Sequence, residues 1–170
     1  MDFHQYRNIL RKLVDHGVDF VVVGGVAAVV AGAPVNTFDV DVVHSRDPEN
    51  IQRLLKALAE LGAYYRQHQN RITPNESHLG SPGHQLLITE HGALDVLGTI
   101  GGGLSYMDLV PLSAIRPMGP GLQVQVLNLE TLIALKEQAG RDKDLAVLPI
   151  LRATLAEIRR LPTSPPTTSE

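Results

Sequence analysis

The order of apolar and polar positions along the chain predicts alternating helices and strands. Apolar residues recur every three or four positions over residues 3–14, as on the buried face of an amphipathic helix, and Gly17 is placed to end that helix. Residues 18–23 are almost wholly apolar and β-branched, which is typical of a buried strand. That strand ends at Gly24 and Gly25, where the lack of side chains favours a tight turn.

A second strand, predicted over residues 38–43, alternates acidic and apolar side chains. Because side chains alternate between the two faces of a strand, Asp39 and Asp41 point to one face, and Phe38 and Val40 point to the core. The two acidic residues lie roughly 6 to 7 Å apart at Cα, two residue rises along the strand. Their oxygens can therefore converge on one divalent ion or flank a pair of ions.

The remaining pattern extends this alternation to the end of the chain. It predicts a two-turn helix over residues 26–31, a helix over 48–61, strands over 63–67, 85–89, 92–97 and 122–127, and helices over 129–139 and 142–160, the last kinked or divided by Pro149. The polar segment 68–84 is predicted to be an exposed loop. The order fits an α/β or α+β domain built on a mixed sheet. We expect one domain over residues 1–160 and a frayed tail over 161–170.

Composition narrows the class of protein. A length of 170 residues suits one domain, and the hydrophobic fraction of 44% with a charged fraction of 19% is that of a globular rather than a disordered or membrane protein. The amino-terminal segment is too polar for a secretory signal, so we expect a cytoplasmic protein without a membrane partner. The absence of cysteine excludes disulfides and thiolate chemistry. A net charge of −3 gives no overall basic footprint for nucleic acid, although it leaves a local basic patch open.

A third acidic residue, Asp95, lies on the predicted strand 92–97. Two or three carboxylates suit Mg²⁺, with Mn²⁺ as a second candidate, because these ions prefer oxygen ligands and keep positions open for substrate phosphates. The glycine pair would let backbone N–H groups approach a phosphate at the start of a helix. Taken alone, the glycine pair is explained by a plain turn and the acidic strand by a solvated face. The order of the two motifs along the chain favours metal-assisted phosphoryl chemistry.

The seven histidines do not predict a zinc site, since the chain has no cysteine partners and no His-x-x-x-His helix. His44 is the one that follows the acidic strand directly. It is either a satisfied histidine at the strand end or a neighbour of the acidic residues.

Taken in order, the motifs resemble a known family. The runs VVGGVA over residues 22–27 and NTFDVD over residues 36–41 resemble the nucleotidyltransferase superfamily of the DNA polymerase beta fold, whose signature is a Gly-Gly or Gly-Ser turn followed by an Asp-x-Asp strand. LDVLG over residues 94–98 resembles the strand that carries the family's third carboxylate. Residues 129–136 and 140–145 resemble the carboxy-terminal segment of the small AbiEii-type toxin relatives.

This resemblance implies a mixed sheet flanked by helices, and transfer of a nucleoside monophosphate from a nucleoside triphosphate to a hydroxyl or similar acceptor. Asp39 and Asp41 would hold magnesium, and Asp95 would complete the metal site and assist deprotonation of the acceptor. The implied nucleotide-binding residues are Gly24, Gly25, Thr37, Lys136 and Arg141. RNA, including tRNA, a protein hydroxyl and a small antibiotic are the acceptors left open, and a toxin would have a cognate antitoxin as partner.

Lys136 and Arg141 would neutralise phosphate charge, since phosphoryl transfer depends mainly on positioning and charge stabilisation. Arg141 and Lys143 also alternate with acidic residues in the run RDKD. That alternation predicts local ion pairs for them instead.

Two positions depart from the family pattern. Val26 and Asn36 stand where many relatives have a hydroxyl residue and an arginine. The alternative prediction is therefore a nucleotide-binding or regulatory module that lacks catalysis. A metal-dependent nuclease or hydrolase is a third possibility, and the segment 68–84 and the surface near Tyr106 are candidate sites for acceptor recognition.

Overall fold

The structure, a computed structural model, describes residues 3–161. Its helices are α1 (Phe3–Asp15), α2 (Gly24–Val30), α3 (Pro48–Glu60), α4 (Glu76–Gly80), α5 (Tyr106–Leu109), α6 (Leu129–Ala139) and α7 (Asp142–Arg160), with a 3-10 helix over Val110–Leu112. Its strands are β1 (Phe20–Val23), β2 (Asp39–His44), β3 (Tyr64–Tyr65), β4 (His84–Thr89), β5 (Gly92–Leu97), β6 (Ser113–Pro117) and β7 (Gln123–Leu127).

These strands form one sheet in the order β3-β4-β5-β2-β1-β7-β6. The central strand β2 runs antiparallel to β1 and parallel to β5. β1 is parallel to β7, whereas β3 with β4, β4 with β5, and β6 with β7 are antiparallel pairs. The predicted α/β class, with a mixed sheet, flanking helices and carboxy-terminal helices, is confirmed.

Amphipathic helices α1 and α3 pack against each other, and α1 also contacts β2 and β5. Ile9 and Leu13 of α1 and Leu54 of α3 are fully buried. Burying each such side chain stabilises the fold by about 1.5 to 3 kcal/mol. α3 begins as its sequence predicts, because the Asp47 side chain accepts a hydrogen bond of 3.0 Å from the N–H of Glu49.

The second group of helices packs around α2, which contacts β1, β2, β7 and α6. α6 ends at Gly140, whose φ of +60° is the left-handed conformation that glycine adopts easily. α6 packs against α7. α7 runs as one helix from Asp142 to Arg160 with Pro149 inside it. Of the two effects predicted for Pro149, a division is wrong and a kink stays a prediction.

Four short elements among the described residues were not predicted. β6 is an edge strand that lacks a clear alternation of buried and exposed residues, and α5 with the following 3-10 helix is only two short turns. α4 lies within the predicted loop 68–84, where Asn75 caps a five-residue helix by accepting from the N–H of His78. β3 is shorter than predicted, covering two residues of the segment 63–67.

Phe38 corrects one detail of the second strand. It was predicted to point to the core, but it precedes the first residue of β2 and is 76% exposed. Val40 and Val42, within the strand, are fully buried as predicted. The alternation therefore holds only where the backbone is paired into the sheet.

Two predictions concern the ends of the chain and its surroundings. The predicted tail lies outside the described residues except for Leu161, which is exposed, and the single domain over residues 1–160 stays a prediction. None of the helices within residues 3–161 is both long enough and apolar enough to cross a bilayer.

Candidate active site

Three carboxylates meet on the neighbouring strands β2 and β5. In the parallel pairing of these strands Asp41 lies opposite Asp95, and Asp39 lies opposite Ala93. Asp39, Asp41 and Asp95 each offer an oxygen, and these oxygens lie within 4.8 Å of one another. The structure thus brings together the three acidic residues that the sequence singled out. We call them the acidic cluster.

The acidic cluster is electrostatically unfavourable without a cation. Burial, with the nearby charges of Asp39 and Asp95, raises the pKa of Asp41 to about 7. The positive charges of Lys136 and Lys143 act in the opposite direction on Asp41. Burial likewise raises the pKa of Asp95. Crowded carboxylate oxygens of this kind fit a hard divalent cation such as Mg²⁺.

The glycine pair touches the acidic cluster directly. Gly24 has a φ of +64°, and a side-chain carbon added there would overlap the carboxylate of Asp41. A side-chain carbon at Gly25 would overlap the side chain of Thr37. α2 starts at Gly24, so the predicted turn is already the first turn of the helix. Both glycines are needed for the close approach of β2 to the end of β1.

Thr37 fixes the segment that leads into β2. Its hydroxyl donates a hydrogen bond of 3.0 Å to the carbonyl of Asp39, and its own carbonyl accepts one of 2.6 Å from the hydroxyl of Tyr6. The residue is buried, with 8% of its surface exposed. Within the protein the hydroxyl therefore orients the backbone of Asp39. Its predicted part in nucleotide binding stays a prediction.

Lys136 and Arg141 share one buried acidic partner. Asp144 on α7 is 1% exposed, and it accepts a hydrogen bond of 2.8 Å from Lys136 Nζ and a second one from Arg141 Nε. Burial alone would raise the pKa of Asp144, but these two cations outweigh it and hold the pKa below its ordinary value. The ion pair of Arg141 agrees with the alternation of charges in the sequence. Lys136 is placed so that its charge also reaches Asp41.

Arg66 is a site residue that the sequence did not reveal. Its Nη2 donates a hydrogen bond to Oδ1 of Asp95. The two residues are 29 positions apart. Arg66 directly follows β3 and Asp95 lies on β5, and β4 lies between these two strands in the sheet. No motif or periodicity in the sequence links Arg66 to Asp95. Their contact could have been predicted only from the register of β3 on β4.

His44 lies at the far end of β2 from the acidic cluster, opposite Phe20. It is buried, and its Nε2 forms a hydrogen bond of 2.8 Å with the carbonyl of Leu79. Burial lowers its pKa. The histidine thus lies at a strand end and away from the acidic residues, but it is only half satisfied, because its buried Nδ1 has no hydrogen-bond partner within the described residues.

Comparison with known proteins gives matches at the level of structure. No family model matches the chain, and no curated protein matches it by sequence. Among the similar solved structures is a Thermotoga maritima protein described as a nucleotidyltransferase by assignment only, with 22% identity and a TM-score of 0.55 over 91% of this chain and 92% of that chain. The lincosamide antibiotic adenylyltransferase LnuA, with lincomycin bound, has 14% identity and a TM-score of 0.57 over 89% of this chain and 96% of that chain. The antibiotic-resistance factor ANT(2'')-Ia, determined in solution, has 14% identity and a TM-score of 0.58 over 91% of this chain and 85% of that chain.

This chain has the nucleotidyltransferase fold. At these identities the likeness establishes the fold alone. The nucleotidyltransferase fold agrees with the family that the glycine turn and the Asp-x-Asp strand resemble. The closer relation to the AbiEii-type toxins is not shown by any of these structures and stays a prediction.

Within the nucleotidyltransferase fold, the segment predicted to recognise an acceptor lies next to β3 and β4. The guanidinium of Arg71 lies 5.0 Å from the centre of the Tyr64 ring. The Tyr65 hydroxyl forms hydrogen bonds with His78 Nδ1, at 2.9 Å, and with Gln85 Oε1. These contacts give the segment a local framework of aromatic and polar side chains.

Proposed function

We propose that the protein is a magnesium-dependent nucleotidyltransferase that transfers a nucleoside monophosphate from a nucleoside triphosphate to an acceptor. The observation that carries the proposal is the acidic cluster, whose three oxygens lie within 4.8 Å of one another beside the Gly24–Gly25 turn, in a chain with the nucleotidyltransferase fold. A structural role explains this arrangement poorly, because three buried or half-buried carboxylates repel one another.

In this proposal Asp39 and Asp41 hold Mg²⁺, with Mn²⁺ as a substitute, and Asp95 completes the site. A bound ion would supply charge neutralisation for the triphosphate and activation of the acceptor oxygen. Asp95 accepts the proton of the acceptor hydroxyl. The acceptor oxygen then attacks the α-phosphorus, the bond from that phosphorus to the oxygen bridging to the β-phosphate breaks, and pyrophosphate leaves with the electron pair.

The phosphates bind on the β1 side of the acidic cluster. Gly24 and Gly25 leave backbone N–H groups open to a phosphate, since neither position carries a side chain. Lys136 forms its hydrogen bond with Asp144, and its positive charge also lowers the pKa of Asp41, so it is close enough to help neutralise a triphosphate there. Arg141 and Thr37 are proposed as further contacts of the nucleotide, reached from α7 and from the start of β2.

The acceptor is the open part of the proposal. Two of the similar structures are an antibiotic adenylyltransferase and an antibiotic-resistance factor, so a small antibiotic is the first class of acceptor to test. RNA, including tRNA, and a protein hydroxyl are the other candidates. A role as the toxin of a toxin–antitoxin pair, with a cognate antitoxin as partner, is proposed only through the resemblance of residues 129–145 to AbiEii-type proteins.

Isothermal titration with ATP, CTP, GTP and UTP in the presence of Mg²⁺ tests the proposal. We expect one or more of them to bind the wild type and chelation to abolish binding. Asp39→Asn and Asp41→Asn should abolish it while the melting temperature stays the same or rises, whereas Asp15→Asn, an exposed acidic residue on α1, should leave it intact. A folded wild type that binds none of the four would overturn the proposal.

Labelling of cell extract then identifies the acceptor. Each radiolabelled nucleoside triphosphate is incubated with extract and protein, and the label is followed into RNA, protein or small molecules. Transfer that depends on Asp95 and releases pyrophosphate supports the nucleotidyltransferase. Release of phosphate without any acceptor would favour a hydrolase instead.

The alternative function is a nucleotide-binding or regulatory module that lacks catalysis. Val26 is 1% exposed and belongs to the core, so this position offers no hydroxyl to a phosphate, and Asn36 is exposed where relatives carry a guanidinium. This module would bind a triphosphate in the titration. It would release no pyrophosphate with any fraction of the extract.

A further inference from the structure

The ion pair between Arg66 and Asp95 places a permanent positive charge at one end of the acidic cluster. Its side chains are partly buried, with 28% of Arg66 and 12% of Asp95 exposed. An arginine guanidinium is not deprotonated in proteins. Asp95 therefore differs from Asp39 and Asp41, because an arginine of the same chain forms an ion pair with it.

Arg66 is held in place by the sheet itself. Its N–H donates a hydrogen bond of 3.2 Å to the carbonyl of Leu86, and Leu86 lies opposite Asp95 in the pairing of β4 with β5. Neighbouring strands lie about 4.8 Å apart, so a side chain that starts beside β3 has about 10 Å to cover across β4. The long arginine side chain and the aspartate together span that distance.

The cations around the acidic cluster fall into two groups. Lys136 and Lys143 act on Asp41, whereas Arg66 acts on Asp95. The three atoms nearest to a side-chain carbon added at Gly24 also all belong to Asp41. The features suited to a triphosphate thus surround Asp41, and Arg66 lies at the opposite end.

A divalent ion that took Asp95 as a ligand would lie close to the Arg66 guanidinium. Like charges repel strongly in a partly buried site, because solvent screens them little. Arg66 is named among the charges that act on Asp95 and not among those that act on Asp41, so an ion held by Asp39 and Asp41 alone meets less of that repulsion. One oxygen of Asp95 is also already occupied by the hydrogen bond from Arg66.

We infer that Arg66 is a positioning residue that keeps Asp95 out of the metal's coordination sphere and turns it toward the acceptor, so that Asp39 and Asp41 hold the metal without it. The inference rests on the proposed function and changes one part of it: Asp95, proposed above to complete the metal site, acts on the acceptor only. Asp39 and Asp41 serve the metal and the triphosphate. Asp95, oriented by Arg66, serves the hydroxyl that attacks.

Titration of the protein with Mn²⁺ alone, followed by the electron paramagnetic resonance signal of the free ion, tests this division. Asp39→Asn should raise the Kd for Mn²⁺ by about tenfold or more, whereas Asp95→Asn should change it by less than about twofold. Arg66→Ala should lower the Kd by about threefold or more, since Asp95 becomes free to bind the ion. Adding Asp95→Asn to Arg66→Ala should cancel that gain.

Arg71→Ala is the matched control, because it removes the same charge from the same region of the chain, where Arg71 contacts the Tyr64 ring. It should leave the Kd unchanged. A merely structural role for Arg66 would weaken Mn²⁺ binding or leave it alone, and would not strengthen it. Circular dichroism confirms that each variant is folded, and if Arg66→Ala does not fold, Asp95→Asn decides alone.

The inference is overturned if Asp95→Asn weakens Mn²⁺ binding as much as Asp39→Asn does, or if Arg66→Ala and Arg71→Ala change the Kd equally. Either result leaves the proposed function standing. The first would make Asp95 a third metal ligand, and the second would mean that Arg66 affects Mn²⁺ binding only through its overall positive charge. A folded wild type that binds neither Mn²⁺ nor any nucleotide is a different result. It removes the proposed function and the inference together.

Discussion

At the scale of the residue, burial and two neighbouring carboxylates raise the pKa of Asp41 to about 7. In the unfolded chain this group titrates near 3.8. Between these two values the folded protein holds a proton that the unfolded chain has lost, so the free energy of unfolding falls as the pH rises. Asp41→Asn should therefore raise the free energy of unfolding of the metal-free protein by about 1 to 3 kcal/mol at pH 8, and by much less at pH 5.

Urea unfolding in the presence of a chelator, at both pH values, measures this difference. Asp15→Asn, an exposed acidic residue outside the acidic cluster, should stay within about 0.5 kcal/mol of the wild type at both. A metal-free Asp41→Asn protein that is less stable than the wild type at pH 8 would show that the ionised carboxylate stabilises the fold.

The same pKa sets the pH dependence of metal binding. A metal ion binds the ionised carboxylate, so protons compete with it as the pH falls below about 7. We expect the affinity for Mn²⁺ to fall about tenfold between pH 8 and pH 6, far above the range in which an ordinary aspartate titrates. Calorimetric titration at the two pH values measures it. An affinity that is constant down to pH 5 would contradict the raised pKa.

For Asp144 we expect the opposite dependence of stability on pH. Its pKa is held below the ordinary value, so its ionised form stabilises the fold above about pH 4, and that contribution is lost as the pH falls through the lowered pKa. Asp144→Asn should lower the free energy of unfolding by about 1 to 3 kcal/mol at pH 7, because Lys136 and Arg141 lose a charged partner. The gap to the wild type should stay constant down to about pH 5 and narrow below pH 4.

Denaturant unfolding over this range checks the prediction. Asp142→Asn removes an exposed acidic residue from the same turn of α7 and serves as the control. If Asp144→Asn is as stable as the wild type at pH 7, the buried ion pairs only offset the cost of burying the charge.

The residues of the candidate site were predictable where a local sequence pattern marked them. Asp39, Asp41 and Asp95 stood out because acidic residues are uncommon within apolar strands, and one register brings them together. Arg66 was not predictable, because its contact with Asp95 depends on how β3, β4 and β5 lie side by side. An arginine near the end of the predicted strand 63–67 gives no sign of such a partner.

At the scale of the element, Gly24 at the start of α2 and Gly32 just after its end both have a positive φ, but their surroundings differ. Gly24 needs both a positive φ and the absence of a side chain beside Asp41, whereas Gly32 has a φ of +93° and open space around it. Gly32→Ala should cost about 1 kcal/mol from backbone strain alone. Gly24→Ala should cost about 2 kcal/mol more, and should weaken Mn²⁺ binding by displacing the Asp41 carboxylate.

Chemical unfolding and a Mn²⁺ titration of both variants separate strain from contact. Equal losses of stability, with Mn²⁺ binding intact in Gly24→Ala, would mean that Asp41 moves aside freely. In that case the glycine would be required for its backbone conformation only.

α7 contains a proline that its own geometry does not favour. Pro149 is the eighth residue of the helix, so it lacks the N–H that would bond to the carbonyl of Leu145, and it is exposed. Pro149→Ala should therefore raise the free energy of unfolding by about 1 to 3 kcal/mol. Thermal unfolding checks this, with Pro48→Ala as control. Pro48 is the first residue of α3, where proline is well accommodated, and its replacement should give no gain.

The long, periodic elements were predictable and the short ones were not. α1, α3 and α6 carry their own apolar stripes and stop signals, so their ends were placed within a few residues. β6 was missed because it is an edge strand with three exposed residues, paired only with β7. α4 was missed because one capping asparagine and a buried Leu79 decide a five-residue helix.

At the scale of the whole molecule, the sequence predicted the order of the main elements and the class of sheet, but not the order of the strands. The neighbours of β1 show why. Its antiparallel partner β2 begins 16 residues after it ends, whereas its parallel partner β7 begins about 100 residues later along the chain. A contact over that separation leaves no trace in local periodicity.

The position of β1 between β2 and β7 has a consequence for the chain while it is being made. One edge of the strand FVVV can pair with β2 as soon as residue 44 has been synthesised, but the other edge stays open until residues 123–127 have followed. At about 5 to 20 residues per second, this interval lasts several seconds. An unpaired, wholly apolar strand edge is where one nascent chain pairs with another, so aggregation during translation is the specific risk of this topology.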